Sequence, residues 1–139
     1  MSENKTFDFE LVAPERRMVD GPMWQVVMPG TEGEFGVRSG HCALVSSLGP
    51  GVISIWRTED EHPKRYFVSG GFAHVTDENC TVLAEHVQEL ADLNLVEIEQ
   101  ELKNLEDEKS LASEIAEHKL VDEKIELARV RLNAVRYYR

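Results

Sequence analysis

Gly70–Leu102 reads "GGFAHVTDENCTVLAEHVQELADLNLVEIEQEL", and its two ends follow different rules. On the left stand the chain's last two glycines and the runs Phe72–Val75 and Cys80–Ala84, rich in β-branched and aromatic residues and split by a turn-like "TDEN". On the right, Leu95, Ile98 and Leu102 step by three and four, the spacing of one helix face. All nine glycines and all five prolines lie at or before Gly71. Glycine and proline punctuate turns, so the chain turns often up to this point and need not turn after it. The stretch predicts a β domain over residues 1–86 and a helical domain over 87–139.

The residues to the left bear out the β grammar. "TFDFELV" alternates, with Phe7, Phe9 and Leu11 on one face and Thr6, Asp8 and Glu10 on the other. "MWQVVM", "VISIW" and "RYFVS" are further short apolar runs, separated by "VDGP", "LGPG" and "TEDEHPK". Short strands at close spacing predict an antiparallel sandwich or barrel rather than a parallel sheet with crossover helices. To the right, Leu95, Ile98, Leu102 and Leu105 form one narrow stripe, and Val121, Ile125, Ala128, Leu132 and Val135 form another. The two stripes are out of heptad phase, so one straight helix would point them to different faces. An antiparallel helical hairpin brings them together, with its break in the polar stretch 106–114. The fold class expected is α+β: an N-terminal antiparallel β-sandwich, then a two-helix hairpin.

Composition narrows the function. The 139 residues carry a formal net charge of −11, which would repel nucleic-acid phosphates, so no nucleic-acid partner is expected. "MSENKTFDFE" has no apolar run of signal-peptide type. No segment approaches the roughly 18 apolar residues a spanning helix needs, so a soluble intracellular chain with no direct membrane insertion is expected. Cys42 and Cys80 belong to no CxxC pair or histidine cluster. Two reduced, at least partly buried thiols and no metal site are expected.

The stretch Pro29–His41, "PGTEGEFGVRSGH", concentrates four glycines, two glutamates and a histidine. It fits neither phosphate-loop spacing, and Glu32 and Glu34 would repel phosphate. Glu32, Glu34 and His41 could titrate, but no nucleophile, oxyanion signature or metal spacing accompanies them. The reading that fits is geometric: Phe35 anchors the loop in the core, and Glu32 and Glu34 project from a rigid edge as a contact surface. Near the other terminus the charges after Glu126 are all basic, namely Arg129, Arg131, Arg136 and Arg139. They either match the helix macrodipole or form a basic tip for an acidic partner.

"LVAPER" (Leu11–Arg16), "PGTEGEFGVRSGHCAL" (Pro29–Leu44), "LGPGVISI" (Leu48–Ile55), "VSGGFAHV" (Val68–Val75) and "TVLAE" (Thr81–Glu85) occur together in this order. As an ordered set they resemble the ε subunit of bacterial F-type ATP synthases, strongly over the first 86 residues. The resemblance implies a sandwich of about ten strands and a helical hairpin. It also implies a non-catalytic, cofactor-free central-stalk subunit of a proton-translocating ATP synthase. Such a subunit binds the γ subunit and the c-subunit ring, and couples ring rotation through γ to ATP synthesis in the catalytic head. The implied place is peripheral, on the cytoplasmic face of the bacterial inner membrane. The resemblance assigns Glu32, Glu34 and His41 to the ring contact, and leaves Ser69–Phe72 as a sandwich turn whose glycines serve backbone geometry. The alternative it carries is a subunit acting chiefly as an inhibitor of ATP hydrolysis. In that case Arg129, Arg131 and Arg136 would meet acidic residues of the catalytic head, formed by the α and β subunits. Nucleotide-binding relatives show an I/L-D-x-x-R-A pattern at the start of the first helix. Here Asn94, Glu97 and Ile98 replace its Asp, Arg and Ala, so ATP binding is expected to be absent or very weak.

Overall fold

The computed structural model describes residues 5–111 and 115–138. The chain forms two compact units, one running to Glu89 and the other from Leu90.

The first unit is a ten-stranded β-sandwich. Its strands are β1 (Phe7–Ala13), β2 (Arg16–Met23), β3 (Gln25–Gly30), β4 (Gly33–Arg38) and β5 (Leu44–Leu48), followed by β6 (Gly51–Trp56), β7 (Lys64–Val68), β8 (Gly71–Val75), β9 (Asn79–Ala84) and β10 (Val87–Glu89). Pairing runs in the order β10-β7-β6-β3-β5-β8-β9-β1-β2, with β4 pairing β3 beside this path. Every pairing is antiparallel except β1 with β9, which run parallel from Asp8↔Asn79 to Val12↔Leu83. The alternation read in "TFDFELV" points Phe7, Phe9 and Leu11 into one core with Met23, Val26, Met28, Ile53, Val68 and Val82. Full burial of such a side chain contributes about 1.5–3 kcal/mol, so this face fixes the register of β1. The sandwich extends past the expected boundary at residue 86, because Val87–Glu89 pairs antiparallel with Tyr66–Val68 as its last strand.

The registers sort the turns between the two ends of the sandwich. Gly30↔Gly33, Gly30↔Leu48, Gly51↔Val68, Gly71↔Ala84 and Val87↔Val68 gather Thr31–Glu32, Gly49–Pro50, Ser69–Gly70 and Glu85–His86 at one end. Gln25↔Arg38, Ile55↔Lys64 and Val75↔Cys80 place residues 39–43, 57–63 and 76–78 at the other.

The second unit begins with a 3-10 turn, Leu90–Asp92, and continues in α1 (Leu95–Leu111) and α2 (Ile115–Tyr138). Of the break expected over 106–114, residues 106–111 are helical and residues 112–114 lie outside those described. Asn94 caps α1: its Oδ1 accepts hydrogen bonds from the backbone N–H groups of Val96 (2.9 Å) and Glu97 (3.2 Å). Leu105, Val121, Ile125 and Ala128 form the seam between the helices, with Leu102 packed against it. Four ion pairs cross between the helices in reversed order, Lys109–Asp122 (2.6 Å), Glu106–Arg129 (3.6 Å), Glu101–Arg131 (3.3 Å) and Glu99–Arg136 (3.1 Å). That order makes the pair antiparallel. No helix among the described residues is long and apolar enough to cross a membrane.

Candidate interaction surfaces

Three surfaces stand out, and the first is the tip of the β3–β4 hairpin. Gly30 pairs with Gly33, so Thr31 and Glu32 form a two-residue turn. Both flanking glycines are demanded by the geometry. A Cβ on Gly30 would approach the Gly33 carbonyl oxygen to 2.7 Å and the Phe35 ring to 3.0 Å, and Gly33 has φ +135°. The turn is pinned from β5: the Thr31 N–H donates to the Ser47 carbonyl (3.1 Å), and the two hydroxyls lie 3.1 Å apart. The Gly49 N–H donates to the Pro29 carbonyl at 2.9 Å. Phe35 packs against the sandwich core, as its anchoring role requires. Glu32 and Glu34 are exposed. The fold therefore presents two carboxylates on a backbone with little freedom.

His41 is not part of that tip. It follows the turn at the opposite end of β4, where its N–H donates to the Arg38 carbonyl (3.1 Å) and the Gly40 N–H to the Asp77 carbonyl (2.8 Å). Its Nδ1 donates to the Cys42 carbonyl at 2.7 Å. β4 is six residues long, which at ~3.3 Å per residue separates the two ends by roughly 17 Å. Cys42 beside it is exposed, against the expectation of partial burial, because it lies in the loop before β5; Cys80, on β9, is buried.

The second surface is the outer face of β5, β8, β9 and β1. Ser47 lies opposite Phe72, Phe72 opposite Leu83, and Leu83 opposite Val12. Phe72 is 61% exposed, Leu83 56%, and Val45, two residues from Ser47 on the same face, 70%. Large side chains left open in adjoining register positions form a patch, whereas single exposed apolar residues carry no message. The sequence reading missed these residues. Ser69–Phe72 reads as a turn, and only Ser69 and Gly70 form one; Phe72 is already in β8. The detectable signal was the alternation in "GFAHV", which points Phe72 and His74 away from the buried Ala73 and Val75.

The third surface is the basic segment of α2. Arg129, Arg131 and Arg136 have no carboxylate further along their own helix, but α1 supplies one to each, Glu106, Glu101 and Glu99. Arg131 is the least exposed of the three, at 19% of its side chain, and its Nε is buried without a partner. At the start of α1, Asn94 is committed to the helix cap, Glu97 is exposed in the first turn and Ile98 is buried.

The sandwich, residues 6–89, matches the family model of the ATP synthase delta/epsilon chain β-sandwich domain. The chain belongs to this family. The match ends at the last residue of β10, where the sandwich itself ends. The ATP synthase epsilon chain of Rhodospirillum rubrum is 42% identical over 81% of this chain and 84% of its own length. That of Rhodospirillum centenum is 33% identical over 92% of this chain and 90% of its own length, and so reaches into the helices. Among solved structures, a chain of the Euglena gracilis mitochondrial ATP synthase (OSCP/F1/c-ring) superposes with a TM-score of 0.82 at 21% identity, covering 94% of this chain and 81% of that one. A chain of the Tetrahymena thermophila mitochondrial ATP synthase central stalk/c-ring gives a TM-score of 0.65 at 13% identity. At these identities the structural likeness speaks for the fold. The sequence matches carry the family.

Proposed function

We propose that this chain is the non-catalytic ε subunit of a bacterial proton-translocating ATP synthase, held in the central stalk at the cytoplasmic face of the inner membrane. In this reading it binds the γ subunit and the c-subunit ring, and helps couple rotation of the ring to ATP synthesis in the head. The observation that carries the reading is the pair of unlike surfaces on one rigid sandwich. The apolar row Val45–Phe72–Leu83 suits a lasting contact with another rotor subunit, and we assign it to γ. The Glu32 and Glu34 tip suits a polar contact, and we assign it to loops of the ring. A ring contact that also includes His41 must run the whole length of β4.

The test uses the assembled enzyme. Phe72→Glu and Leu83→Glu change only exposed side chains, so the isolated chain should fold and melt as the parent does. Each should reduce co-purification with γ several-fold, because a charge replaces buried apolar contact at the interface. Parent-level co-purification of both variants would remove this face from the γ contact.

A second reading, inhibition of hydrolysis through Arg129, Arg131 and Arg136, is favoured by one observation. The three arginines lie on one helix and each already sits against a carboxylate. An acidic segment of the catalytic head would exchange for Glu106, Glu101 and Glu99 rather than meet unpaired cations. Replacing all three by Ala should raise ATP hydrolysis by the complex at low salt. Equal rates for mutant and parent would leave coupling alone.

A further inference from the structure

At the end of the sandwich away from the Glu32 tip, β2, β6 and β7 enclose a cavity of about 160 Å³. Its floor is core: Val19, Met23, Ile55 and Tyr66 line it and are all buried. Its rim is charged. Arg57 and His62, in the loop after β6, and Lys64, at the start of β7, stand around the opening with one carboxylate, Glu61. Glu59 and Asp60 share the loop and Glu89 pairs with Lys64, so among the described residues Arg57 is the lining cation that carries an unpaired positive charge.

Lys64 is held in place, and Arg57 lies against β2. Lys64 Nζ lies 5.7 Å from the centre of the Tyr66 ring and 3.5 Å from Glu89, which keeps it over the floor. Arg57 folds back over β2, so that its Nη1 lies 3.8 Å from where a Cβ on Gly21 would stand. Among the described residues Arg57 makes no ion pair and no side-chain hydrogen bond. Its guanidinium, with five donors in a planar fork, is suited to a carboxylate.

We propose that this cavity binds a small carboxylate with an apolar body, the body lying against Val19, Met23, Ile55 and Tyr66 and the carboxylate meeting Arg57, with Lys64 and His62 beside it. The volume sets the size. A cavity of about 150 Å³ lined by apolar side chains accepts a benzene-sized guest, whereas nucleotides and drug-sized ligands need about 300 Å³ or more. The proposal therefore excludes a nucleotide at this place. Glu61 is the one lining group that opposes the carboxylate, and it makes the site weak as it stands.

The experiment is a titration of the full chain with benzoate, followed by amide chemical shifts. Saturable shifts confined to Val19, Ile55, Arg57, Tyr66 and their neighbours are expected, with a Kd on the order of 1 mM for so small a ligand. Arg57→Gln should weaken binding about tenfold, the order of a lost charge-assisted hydrogen bond. Glu61→Gln should tighten it about twofold. Benzyl alcohol, which has the ring without the charge, should bind about tenfold more weakly than benzoate. Both substitutions are at exposed positions, so loss of fold is not expected, and an unchanged amide spectrum of the free variants checks this. Shifts that do not saturate, shifts centred elsewhere, or equal affinity of the parent and Arg57→Gln would each overturn the proposal.

Discussion

At Gly71 an added Cβ would overlap the Leu83 carbonyl oxygen and approach the Ala84 Cα to 2.9 Å, and the backbone already stands at φ +153°. Both obstacles are backbone, so no side chain can move aside. Gly71→Ala should lower stability by more than about 2 kcal/mol, combining steric overlap with a φ that L residues rarely adopt. Gly33→Ala, at φ +135° with open space around it, should cost about 1–2 kcal/mol. Denaturant melts compare the two directly, and equal losses would show that the Leu83 carbonyl can shift. The sequence already reads the glycines of Ser69–Phe72 as serving backbone geometry. It could not tell that Phe72 faces solvent, because that follows from the register of β8 against β5 and β9. The cysteines divide in a similar way. Burial pushes the Cys80 thiol up from 9.0 to about 12, while Cys42 is exposed. A thiol raised in the folded state stays protonated where the unfolded one ionises. Its contribution to stability is therefore complete below about pH 9 and is lost as pH rises from there towards 12. At pH 8 a disulfide reagent should modify Cys42 at once and Cys80 only on unfolding; equal rates would contradict the burial of Cys80.

The helical hairpin combines a short apolar seam with four cross-helix ion pairs, and magnitudes decide which holds it. Most of the paired side chains are about half exposed, and exposed ion pairs contribute about 0–1 kcal/mol each. Truncating the buried Ile125 to Ala should cost about 2–4 kcal/mol, so the seam dominates. Arg131 is the exception among the charges, since it is mostly covered and its Nε lacks a partner. An apolar residue of similar length removes that cost. Arg131→Met should leave the helical melt unchanged or raise it, whereas Glu101→Ala should lower it, because it strands a covered cation. A melt that falls for Arg131→Met would mean that the guanidinium is better satisfied than its geometry shows. Both stripes were legible from their spacing, and so was their meeting in a hairpin. Ala134 was not, although it is buried, because one small residue adds little to a hydrophobic pattern. β10 was missed for a related reason: "VQE" is three residues long and has no alternation to read until β7 is beside it.

For the whole molecule, the division at Glu89/Leu90 sets how the coupling and inhibitory readings can be separated. Cutting after His86, where the sequence places the boundary, would delete β10 and leave the edge of β7 unpaired. A truncation after Glu89 keeps all ten strands and both candidate rotor surfaces. The family was legible from motif order, because ordered motifs survive where single residues drift. The candidate surfaces were half legible: Glu32 and Glu34 stand out in a glycine-rich turn, whereas the row Val45–Phe72–Leu83 exists only once the remote β5 lies beside the β8–β9 hairpin. These two surfaces lie on the unit that remains after truncation, and the three arginines lie on the unit that is lost. If the chain serves coupling alone, enzyme carrying the residues 1–89 form should pump protons per ATP as the parent does, with the same hydrolysis rate. If it also restrains hydrolysis, the rate should rise, and the Arg129, Arg131 and Arg136 triple-alanine chain should raise it to a similar degree. Glu34→Lys acts on the other unit. It reverses an exposed charge, so stability should move by less than about 0.5 kcal/mol, while proton pumping falls relative to hydrolysis. Full coupling with Glu34→Lys would remove the hairpin tip from the ring contact even if the truncation behaves as expected, since the two variants probe different units of the chain.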